Sequence, residues 1–502
     1  MNDREKSYSS VVPEKSPNKP VEARKRVEGA EVMEERELAK GNPSEDNTRR
    51  TQGRGSVSSG LERVREVART DKELRFTALM HHIYDVDRLR EAYGGLNKDA
   101  SAGVDGVTWR AYGEELETNI RGLSDRLKRG AYRASPTRRA TISKQNGDER
   151  HLGVPTLEDK IVQRATVEVL NGIYEEDFLG FSYGFRPGRG QHDALDALAV
   201  GIHDKNVRWV LDADIRGFFD TLDHGWLVKF IEHRIGDRRV VRLIQKWLKA
   251  GVMVDGEHVA GTVGTVQGGS ISPLLANIYL HYVLDLWVHQ WRKKQARGDL
   301  IIVRYADDFV VGFYHRDDAE RFEVELRQRL AEFGLELHPE KTRLIEFGRF
   351  AATNRGRRGE GKGESFVFLG LRHIYGRSRR GYATLWRRTS RKSFRAGLSK
   401  VKAELRYHSW WSVPQMGEYL AAAVEGHAGY FGVPTNSQKL WGFRFAVVWL
   451  WKQALERRSQ RTRVKWARMV RLAARWLPPA EIKHPYPSAR FAVNTRGRNR
   501  MR

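Results

Sequence analysis

An apolar stretch interrupted by two adjacent aspartates constrains this chain more than any other feature. Residues 300–314 contain the run IIVRYADDFVVGF, in which two β-rich segments flank Asp307 and Asp308. This pattern predicts two strands joined by a tight turn. Two carboxylates at such a turn are costly unless they bind a cation, and Mg²⁺ fits because it prefers carboxylates together with substrate phosphates. The alternative is an ordinary aspartate-rich turn with solvated side chains.

A second acidic strand is predicted over residues 207–215. In RWVLDADIRGFFD, Asp212 and Asp214 lie on one face by the two-residue period of a strand, and Asp214 lies at its end. If this strand pairs with the first, Asp214 meets Asp307 and Asp308. Three carboxylates in that position can hold two metal ions about 3.5–4 Å apart, the arrangement used for in-line phosphoryl transfer.

The charge of the chain indicates a polyanionic partner. Its 502 residues include 89 Lys and Arg against 63 Asp and Glu, a net charge of +26. The absence of cysteine excludes disulfides, thiolate zinc sites and cysteine nucleophiles. No apolar run approaches the ~18–20 residues of a membrane span, and no secretion signal is evident, so no membrane partner is expected. A basic ribosomal or architectural protein is the alternative without chemistry, although 14 Trp and 17 Tyr are many for such proteins.

Most of the positive charge lies near the C-terminus. Residues 381–502 contain 25 Lys and Arg but only five acidic residues, a net charge of +20, and eight of the 14 tryptophans. For most of these tryptophans we expect a place in a helical core. Trp410 and Trp411 are adjacent, so one of them is expected to be exposed. Residues 1–55 combine charges of both signs with almost no aromatic residue, which predicts a disordered tail.

Local patterns predict further elements. Turn signals indicate β-hairpins over 138–155, around Asn146-Gly147, and over 252–266. A long helix is expected from Ser272 to about Trp291, with Pro273 in its first turn. The remaining predictions are helices over 157–175, 238–250, 317–333, 414–430, 438–458 and 463–477, a loop over 349–364 and a strand over 366–374.

The motifs around the aspartates resemble those of reverse transcriptases, in particular the group II intron-encoded type. The box Tyr305-Ala306-Asp307-Asp308 is similar to the catalytic box of that class, and DIRGFFDTLDH, beginning at Asp214, resembles its first catalytic motif. Between them, QGGSISPLLAN at 267–277 is similar to the QGG-x-x-SPLLAN motif of group II intron reverse transcriptases. Further boxes follow in family order, namely LGVPTLEDKIVQ, GFRPGRGQHDAL, HPEKTRLIEF and FVFLGLRH. Seven ordered boxes over residues 60–500 make chance agreement a poor explanation.

The resemblance implies how the metals are bound and how the sugar is selected. Asp214, Asp307 and Asp308 would bind two catalytic Mg²⁺ ions, for which Mn²⁺ is a substitute. Asp212 is a weaker candidate for a ligand. Phe219 would be the steric gate, whose ring collides with a ribose 2′-OH and so favours deoxynucleotides. The alternative is that one of the neighbouring rings at 218 and 219 only fills the core.

The same resemblance implies the residues that bind the nucleotide. Lys144 and Arg150 would bind the triphosphate, since arginine offers a bidentate fork and lysine a point charge. Gln267 and Gly268 would line the nucleotide pocket, where glycine lets the backbone approach closely. Lys341 would protonate the departing pyrophosphate. In a chain this basic, the alternative for each cation is a solvated surface position.

The implied fold is an α+β right-hand polymerase, with fingers, an antiparallel palm of the split-βαβ kind and a helical thumb. The expected divisions are a disordered polar tail (1–55), an N-terminal extension of the fingers (56–100), the fingers (101–206), the palm (207–378), the thumb or maturase domain (379–478) and a basic nucleic-acid-binding tail (479–502).

The implied activity is RNA-directed DNA polymerisation that copies intron RNA into DNA, combined with a maturase role in splicing and retrohoming. The expected partners are group II intron RNA, an RNA template with a DNA primer, target DNA and dNTPs, in the bacterial cytoplasm at the nucleoid. The endonuclease module of the family is expected to be missing, because there is no cysteine and the chain ends soon after the thumb. The alternatives are a domesticated reverse transcriptase of the retron, abortive-infection or diversity-generating type, and a splicing-only RNA-binding factor. The sequence leaves the oligomeric state open.

Overall fold

The computed structural model describes residues 54–143, 149–254, 257–259, 264–265, 268–378, 381–458 and 463–490. The predicted disordered tail over 1–55 therefore lies outside the described residues, apart from its last two positions, which begin the first helix. The last part of the predicted basic tail, 491–502, also lies outside them.

The first part of the described chain is mainly helical. Its elements are α1 (Arg54–Thr70), α2 (Met80–Ile83), α3 (Val86–Gly94), α4 (Trp109–Glu114), α5 (Leu116–Lys128), β1 (Thr137–Ser143), β2 (Glu149–Val154), α6 (Leu157–Asp177) and α7 (Gln191–Asp204). Helix α6 begins where the Thr156 side chain accepts a hydrogen bond from the backbone N–H of Asp159. It then runs through the main hydrophobic core, in which Ile161, Ala165 and Val169 have no exposed surface.

The middle of the chain alternates helices and strands. Its elements are β3 (Trp209–Asp214), α8 (Phe218–Thr221), α9 (His224–Arg234), α10 (Arg238–Lys249), β4 (Val252–Val254), β5 (Glu257–Val259), α11 (Ser272–Leu280), a π-helical turn (His281–Asp285), α12 (Leu286–Lys294), β6 (Leu300–Tyr305), β7 (Asp308–Phe313), α13 (Arg316–Ala331), β8 (Arg343–Glu346), α14 (Ala351–Arg357), β9 (Ser365–Phe368) and β10 (Leu371–Arg377).

The central sheet has the strand order β6-β7-β3-β8, and every pair in it is antiparallel. Alternate residues of its strands enter two different cores. Leu211 and Val311 pack with the helices of the main core, whereas Val210 and Val310 pack in a second core with residues of α7. The chain order strand, helices, two strands, helix, strand gives the expected split-βαβ palm, and the α+β fold class is confirmed.

The two predicted β-hairpins are present in their described parts. Strands β1 and β2 pair antiparallel from Arg138 opposite Val154 to Ser143 opposite Glu149, and the turn at 144–148 lies outside the described residues. Strands β4 and β5 also pair antiparallel. Because β4 adds to β1 in parallel, the two hairpins form one sheet with the order β2-β1-β4-β5.

Two local predictions after the central sheet are wrong. The predicted strand over 366–374 is a hairpin, because the chain turns at Leu369 and Gly370, whose φ angles are 48° and 74°. The apolar alternation continues through this turn and hides it. The predicted loop over 349–364 contains α14, which is tied to β8 by the Asn354 side chain donating to Glu346 Oε1 at 2.8 Å.

The long helix predicted from Ser272 to Trp291 is confirmed in extent but not in regularity. Proline occupies its first turn as expected, and the last helical segment ends at Lys294. Its middle, however, is the π-helical turn between α11 and α12. Such turns are rare, and they occur most often near functional sites.

The C-terminal part consists of a strand and a helical bundle. Its elements are β11 (Ala383–Thr389), α15 (Arg391–Tyr407), α16 (Val413–Phe431), α17 (Ser437–Glu456) and α18 (Trp466–Trp476), so the three predicted C-terminal helices are confirmed. Strand β11 completes a third sheet with the order β11-β10-β9. The four helices enclose a separate core around Leu420, Val447 and Met469. Across the described ranges, no helix is both long and apolar enough to span a bilayer.

The C-terminal tryptophans differ from expectation. Trp410 is 70% exposed while Trp411 packs against the bundle core, which confirms that only one of this pair is exposed. Trp451 is fully buried. The expectation that most of the eight lie in the core is wrong, because four of them have exposed side chains, namely Trp410, Trp441, Trp449 and Trp466.

Residues 479–490, the described part of the predicted basic tail, return to the body of the protein. The backbone N–H groups of Lys483 and His484 donate to the Gly432 carbonyl at 2.8 and 3.0 Å. Arg490 forms an ion pair with Asp196 on α7. This segment therefore fastens the bundle to a helix of the second core, and its binding to nucleic acid stays a prediction.

Candidate active site

The pairing of β3 with β7 brings the predicted aspartates together. Asp214, the last residue of β3, lies directly opposite Asp308, the first residue of β7. Asp307 lies in the two-residue turn just before β7. All three side chains are partly exposed, so the end of the two central strands presents three carboxylates to solvent.

The turn that carries Asp307 has an unusual backbone. Ala306 has a φ of 58°, a left-handed conformation that is uncommon for a residue other than glycine. A Cβ atom on Gly184 would lie 2.3 Å from the Ala306 nitrogen, so only glycine allows that segment to pack here. The close approach explains why the GFRPG box begins with glycine.

A buried arginine forms a hydrogen bond to the backbone of this turn. Arg304 has no exposed side-chain surface, and it donates to the two carboxylate oxygens of Asp285 at 2.7 and 2.5 Å. Its Nη1 also donates to Asn277 Oδ1 at 3.0 Å and to the Ala306 carbonyl at 2.9 Å. Asn277 in turn donates to the Gly184 carbonyl at 2.7 Å. One guanidinium thus connects the strained turn to α11 and to the π-helical turn.

Sequence reasoning missed this network, although two of its members stand in recognised motifs. Asn277 ends the SPLLAN box and Arg304 directly precedes the Tyr305 box. An arginine within an apolar strand run was the one available signal, because a buried cation requires a buried anion. Asp285 carried no signal in the sequence, and it lies at the end of the π-helical turn.

The electrostatics of the site favour a bound cation. Burial raises the pKa of Asp308 well above its ordinary value. The negative charges of three neighbours, Asp212, Asp307 and Asp214, raise it further, and a hydrogen bond from the Leu369 backbone N–H opposes the rise. Carboxylates crowded in this way are stabilised in their charged form by a cation placed among them.

Asp212 shares a strand face with Asp214, as the period-two pattern predicted. Burial raises the pKa of Asp212 to about 6, and the nearby Arg343 opposes the rise. Arg343 Nη2 lies 3.5 Å from Asp212 Oδ2, on the neighbouring strand β8. This ion pair connects Asp212 to the neighbouring strand.

Lys341 supplies a positive charge at the site. Its Nζ donates to Asp214 Oδ2 at 2.6 Å, and its side chain is largely exposed. Within the described ranges, no three Asp, Glu or His side chains are already arranged in a geometry that could hold a metal ion. The donor set nevertheless fits a hard divalent cation, because Asp214, Asp307 and Asp308 offer only carboxylate oxygens.

The two adjacent phenylalanines after β3 have different environments. Phe218 is buried in the main core, whereas Phe219 is partly exposed and packs edge-on against it at 5.5 Å between ring centroids. The Thr265 backbone N–H donates to the Phe219 carbonyl at 2.7 Å. Phe218 is therefore the core residue of the pair, and the ring of Phe219 is left available at the edge of the site.

The QGG motif packs against the hairpin of β1 and β2. Gly268 has a φ of 112°, and a Cβ atom there would lie 2.7 Å from the Gly153 carbonyl oxygen, so a larger residue is excluded. Arg150 lies on the same strand as Gly153, with its backbone opposite Ile142. The other two predicted nucleotide-binding residues, Lys144 and Gln267, lie outside the described residues.

A hairpin turn from the third sheet reaches the end of the central sheet that carries the three aspartates. The Leu369 N–H hydrogen-bonds to Asp308, and the Leu369 carbonyl accepts a hydrogen bond from the Tyr430 hydroxyl at 2.9 Å. Tyr430 is buried on α16 of the C-terminal bundle. The turn therefore connects the bundle to one of the site aspartates.

Comparison with known proteins gives concordant matches. The family model described as reverse transcriptase (RNA-dependent DNA polymerase) matches residues 142–373, a range that contains every predicted site residue. Protein YkfC of Escherichia coli K12 is 34% identical over 348 residues, covering 62% of this chain and 87% of that protein. The group II intron-encoded protein LtrA of Lactococcus lactis is 37% identical over 238 residues, covering 47% of this chain and 39% of LtrA. Nuclear intron maturase 1, mitochondrial, of Arabidopsis thaliana is 26% identical over 95 residues, covering 19% of this chain and 13% of that protein.

Proposed function

Because this chain belongs to the reverse transcriptases, the RNA-directed DNA polymerases, and is similar to group II intron-encoded proteins, we propose that Asp214, Asp307 and Asp308 form its polymerase centre. The register that sets Asp214 opposite Asp308, at the end of two central strands, is the observation that carries this proposal. The strained turn and its buried support keep the third carboxylate beside them.

The three carboxylates would hold two Mg²⁺ ions, with Mn²⁺ as a substitute. Such ions lower the pKa of the primer 3′-OH and stabilise the charge of the triphosphate and of the departing pyrophosphate. The residues themselves supply fixed oxygen ligands on rigid strands, so little reorganisation is needed when the substrate binds.

The residues around the carboxylates would select and hold the dNTP. Lys144 and Arg150 would bind the triphosphate, and Arg150 lies on strand β2. Gln267 and Gly268 would line the nucleotide pocket, and the packing of Gly268 on Gly153 supports this because it keeps the motif next to that hairpin. Phe219 would exclude the ribose 2′-OH.

Lys341 would hold the proton that the leaving pyrophosphate takes up. The 2.6 Å contact between its Nζ and Asp214 Oδ2 supports this role, because it places an ammonium group beside a ligand carboxylate. The exposed side chain is free to move from Asp214 toward a bound triphosphate.

The maturase role would belong to the C-terminal bundle. With a net charge of +20 over residues 381–502, this region can neutralise phosphates of group II intron RNA and of target DNA. The protein would then copy intron RNA by extending a DNA primer with dNTPs, and it would assist splicing and retrohoming by binding the folded RNA. The similarity to the group II intron-encoded protein LtrA and to the Arabidopsis intron maturase supports this assignment.

Primer extension on an RNA template tests the polymerase centre. With dNTPs and Mg²⁺, the wild type should produce cDNA, and Asp307→Ala/Asp308→Ala should produce none because it lacks two of the three carboxylates. Asp317→Ala, an exposed aspartate at the start of α13, is the matched control and should stay active.

Two results would contradict the proposal. If the double variant still extends primers, the metals are held elsewhere. If a folded, RNA-binding wild type makes no cDNA with Mg²⁺ or Mn²⁺, the polymerase claim fails and the splicing-only alternative takes its place.

A further inference from the structure

We propose that one exposed apolar surface of the C-terminal bundle binds unpaired nucleotides by stacking. This surface, called the aromatic face below, consists of Trp441, Phe445 and Trp449 on α17 and of Trp466 and Val470 on α18. Their side chains are between 43% and 63% exposed. The inference rests on the proposed function only in taking nucleic acid as the partner class.

The geometry of the helices makes these residues one continuous surface. Trp441, Phe445 and Trp449 are four residues apart, so they follow one side of α17. The ring of Phe445 lies parallel to that of Trp466, with 5.9 Å between centroids and an interplanar angle of 8°. Val470 continues the row one turn further along α18.

The bundle core does not account for the aromatic face. The opposite side of α17 already fills that core with Phe443, Val447 and Trp451, all of them buried. A surface helix normally carries polar residues on the side that faces solvent. Large apolar groups gathered on that side indicate a surface that a partner covers.

The charge around the aromatic face identifies the partner's chemistry. Residues 437–477 contain 11 Lys and Arg but a single acidic residue, Glu456, which is paired with Lys452 at 2.5 Å. Lys465, Arg468 and Arg471 are exposed, and no carboxylate in the described part of the chain forms an ion pair with them. A second copy of this surface would bring like charge against like, so self-association is disfavoured.

Flat rings surrounded by cations match unpaired nucleotides, which present both a phosphate chain and open base faces. A duplex presents phosphates but keeps its base faces stacked inside, and it leaves the aromatic rings without a partner. The occupant is therefore a single-stranded segment, of RNA or of DNA, with its bases on the rings and its phosphates on the neighbouring cations.

Equilibrium binding of the full chain to a labelled single strand of about 20 nucleotides tests this inference. The variant is Trp441→Ala/Phe445→Ala/Trp449→Ala, and the matched control is Trp410→Ala, which removes an equally exposed ring elsewhere on the bundle. Since each stacked ring contributes about tenfold to affinity, removing three rings should weaken binding roughly 1,000-fold. The control should bind like the wild type.

Two signatures separate stacking from charge attraction. The triple variant should keep the wild-type dependence of log affinity on log salt, because it removes no phosphate contact. Lys465→Gln/Arg468→Gln/Arg471→Gln should instead lower that slope by about 2 for a single strand. An abasic strand of equal length should bind the wild type as weakly as the normal strand binds the triple variant.

Leucine replacements at the three aromatic positions control for misfolding, because they keep apolar volume while removing the rings. They should weaken binding as much as the alanine replacements do. The inference is wrong if folded aromatic variants bind single strands normally, or if Trp410→Ala weakens binding equally. It is also wrong if the variants change only the oligomeric state or the binding to anionic vesicles. The assay uses no dNTPs, so an inactive polymerase centre would leave its result unaffected.

Discussion

The palm and the C-terminal bundle treat polar and apolar side chains in opposite ways. In the palm, Arg304 and Asp285 are charged yet have no exposed side-chain surface, and each is paired. In the bundle, Trp441 and Phe445 are apolar yet about 60% exposed. The difference reflects two tasks. Buried charges in the palm position its own backbone, whereas exposed rings on the bundle provide a surface that a partner can bind.

The energetic cost of each arrangement supports this division. Burying an ion pair costs several kcal/mol per ion in desolvation. Well-packed apolar residues in its place often give the protein equal or greater stability. We therefore explain this pair by its positioning role, because Arg304 donates a hydrogen bond to the Ala306 carbonyl. Exposed aromatic rings also cost free energy in water, and they are explained by what later covers them.

Breaking the buried pair should have the largest effect. Arg304→Met should lower the free energy of unfolding by about 3–5 kcal/mol, because Asp285 is left charged and unpaired in the core. It should also abolish primer extension, since the turn that carries Asp307 loses its support. Urea unfolding and primer extension measure the two effects. The control is Arg316→Met, which removes an exposed pair with Glu320 and should cost less than about 1 kcal/mol.

The double variant Arg304→Met/Asp285→Leu sharpens this test. Stability should largely return, because no unpaired charge remains. Primer extension should not return, because the Ala306 carbonyl still lacks its donor. Recovery of both properties would show that the pair stabilises the palm without positioning the turn.

A buried histidine should make the bundle sensitive to acid. His427 is buried against the Phe443 ring, with 3.6 Å between centroids, and neither ring nitrogen has a partner within the described ranges. Burial lowers the pKa of His427 to about 3. The unfolded chain takes up a proton near its ordinary value of 6.5 while the folded chain does not. Stability should therefore fall by about 1.4 kcal/mol per pH unit as the pH drops below that value.

His427→Leu should reduce the dependence of stability on pH. Between pH 8 and pH 5 the variant should lose about 2 kcal/mol less unfolding free energy than the wild type loses. Urea unfolding at the two pH values gives the comparison, with the exposed His203→Leu as control. Equal losses in variant and wild type would mean that another group sets the acid sensitivity.

The smallest effect is expected where the two regions meet. Tyr430→Phe removes the hydrogen bond from the bundle to the Leu369 carbonyl and should cost about 1 kcal/mol. Because Leu369 also contacts Asp308, the variant should slow primer extension severalfold. Tyr407→Phe changes a tyrosine that is 71% exposed and should be neutral. A Tyr430→Phe protein with wild-type rate and stability would show that the turn does not couple the regions.

Much of the candidate active site could be predicted because it depends on local patterns. The strands at 207–215 and 300–314 are short apolar runs beside acidic residues, and the resemblance implied an antiparallel palm. The strand order β6-β7-β3-β8 came from the structure. The helices of the bundle were predictable from their periodicity. Predicting that Asp214 lies opposite Asp308 required both strands to be assigned correctly.

What could not be predicted depends on contacts between distant residues. Asp285 pairs with Arg304 from within a π-helical turn, and no composition signal marks such a turn. Leu369 adopts a positive φ within a run that continues to alternate as a strand does. The exposed tryptophans were misjudged because burial was inferred from apolarity alone, whereas Trp441 and Trp449 face solvent.

The return of residues 479–490 to the body of the protein sets an order of assembly during synthesis. Asp196 is buried between Arg387 and Arg490, so its second cation comes 294 positions after it in the chain. At about 5–20 residues per second, the ribosome supplies that arginine roughly 15–60 s after the aspartate. Until then, Arg387 is the only one of its two cations that Asp196 on α7 can bind. The contact between residues 479–490 and α7 can therefore form only after the helices of the C-terminal bundle have been synthesised.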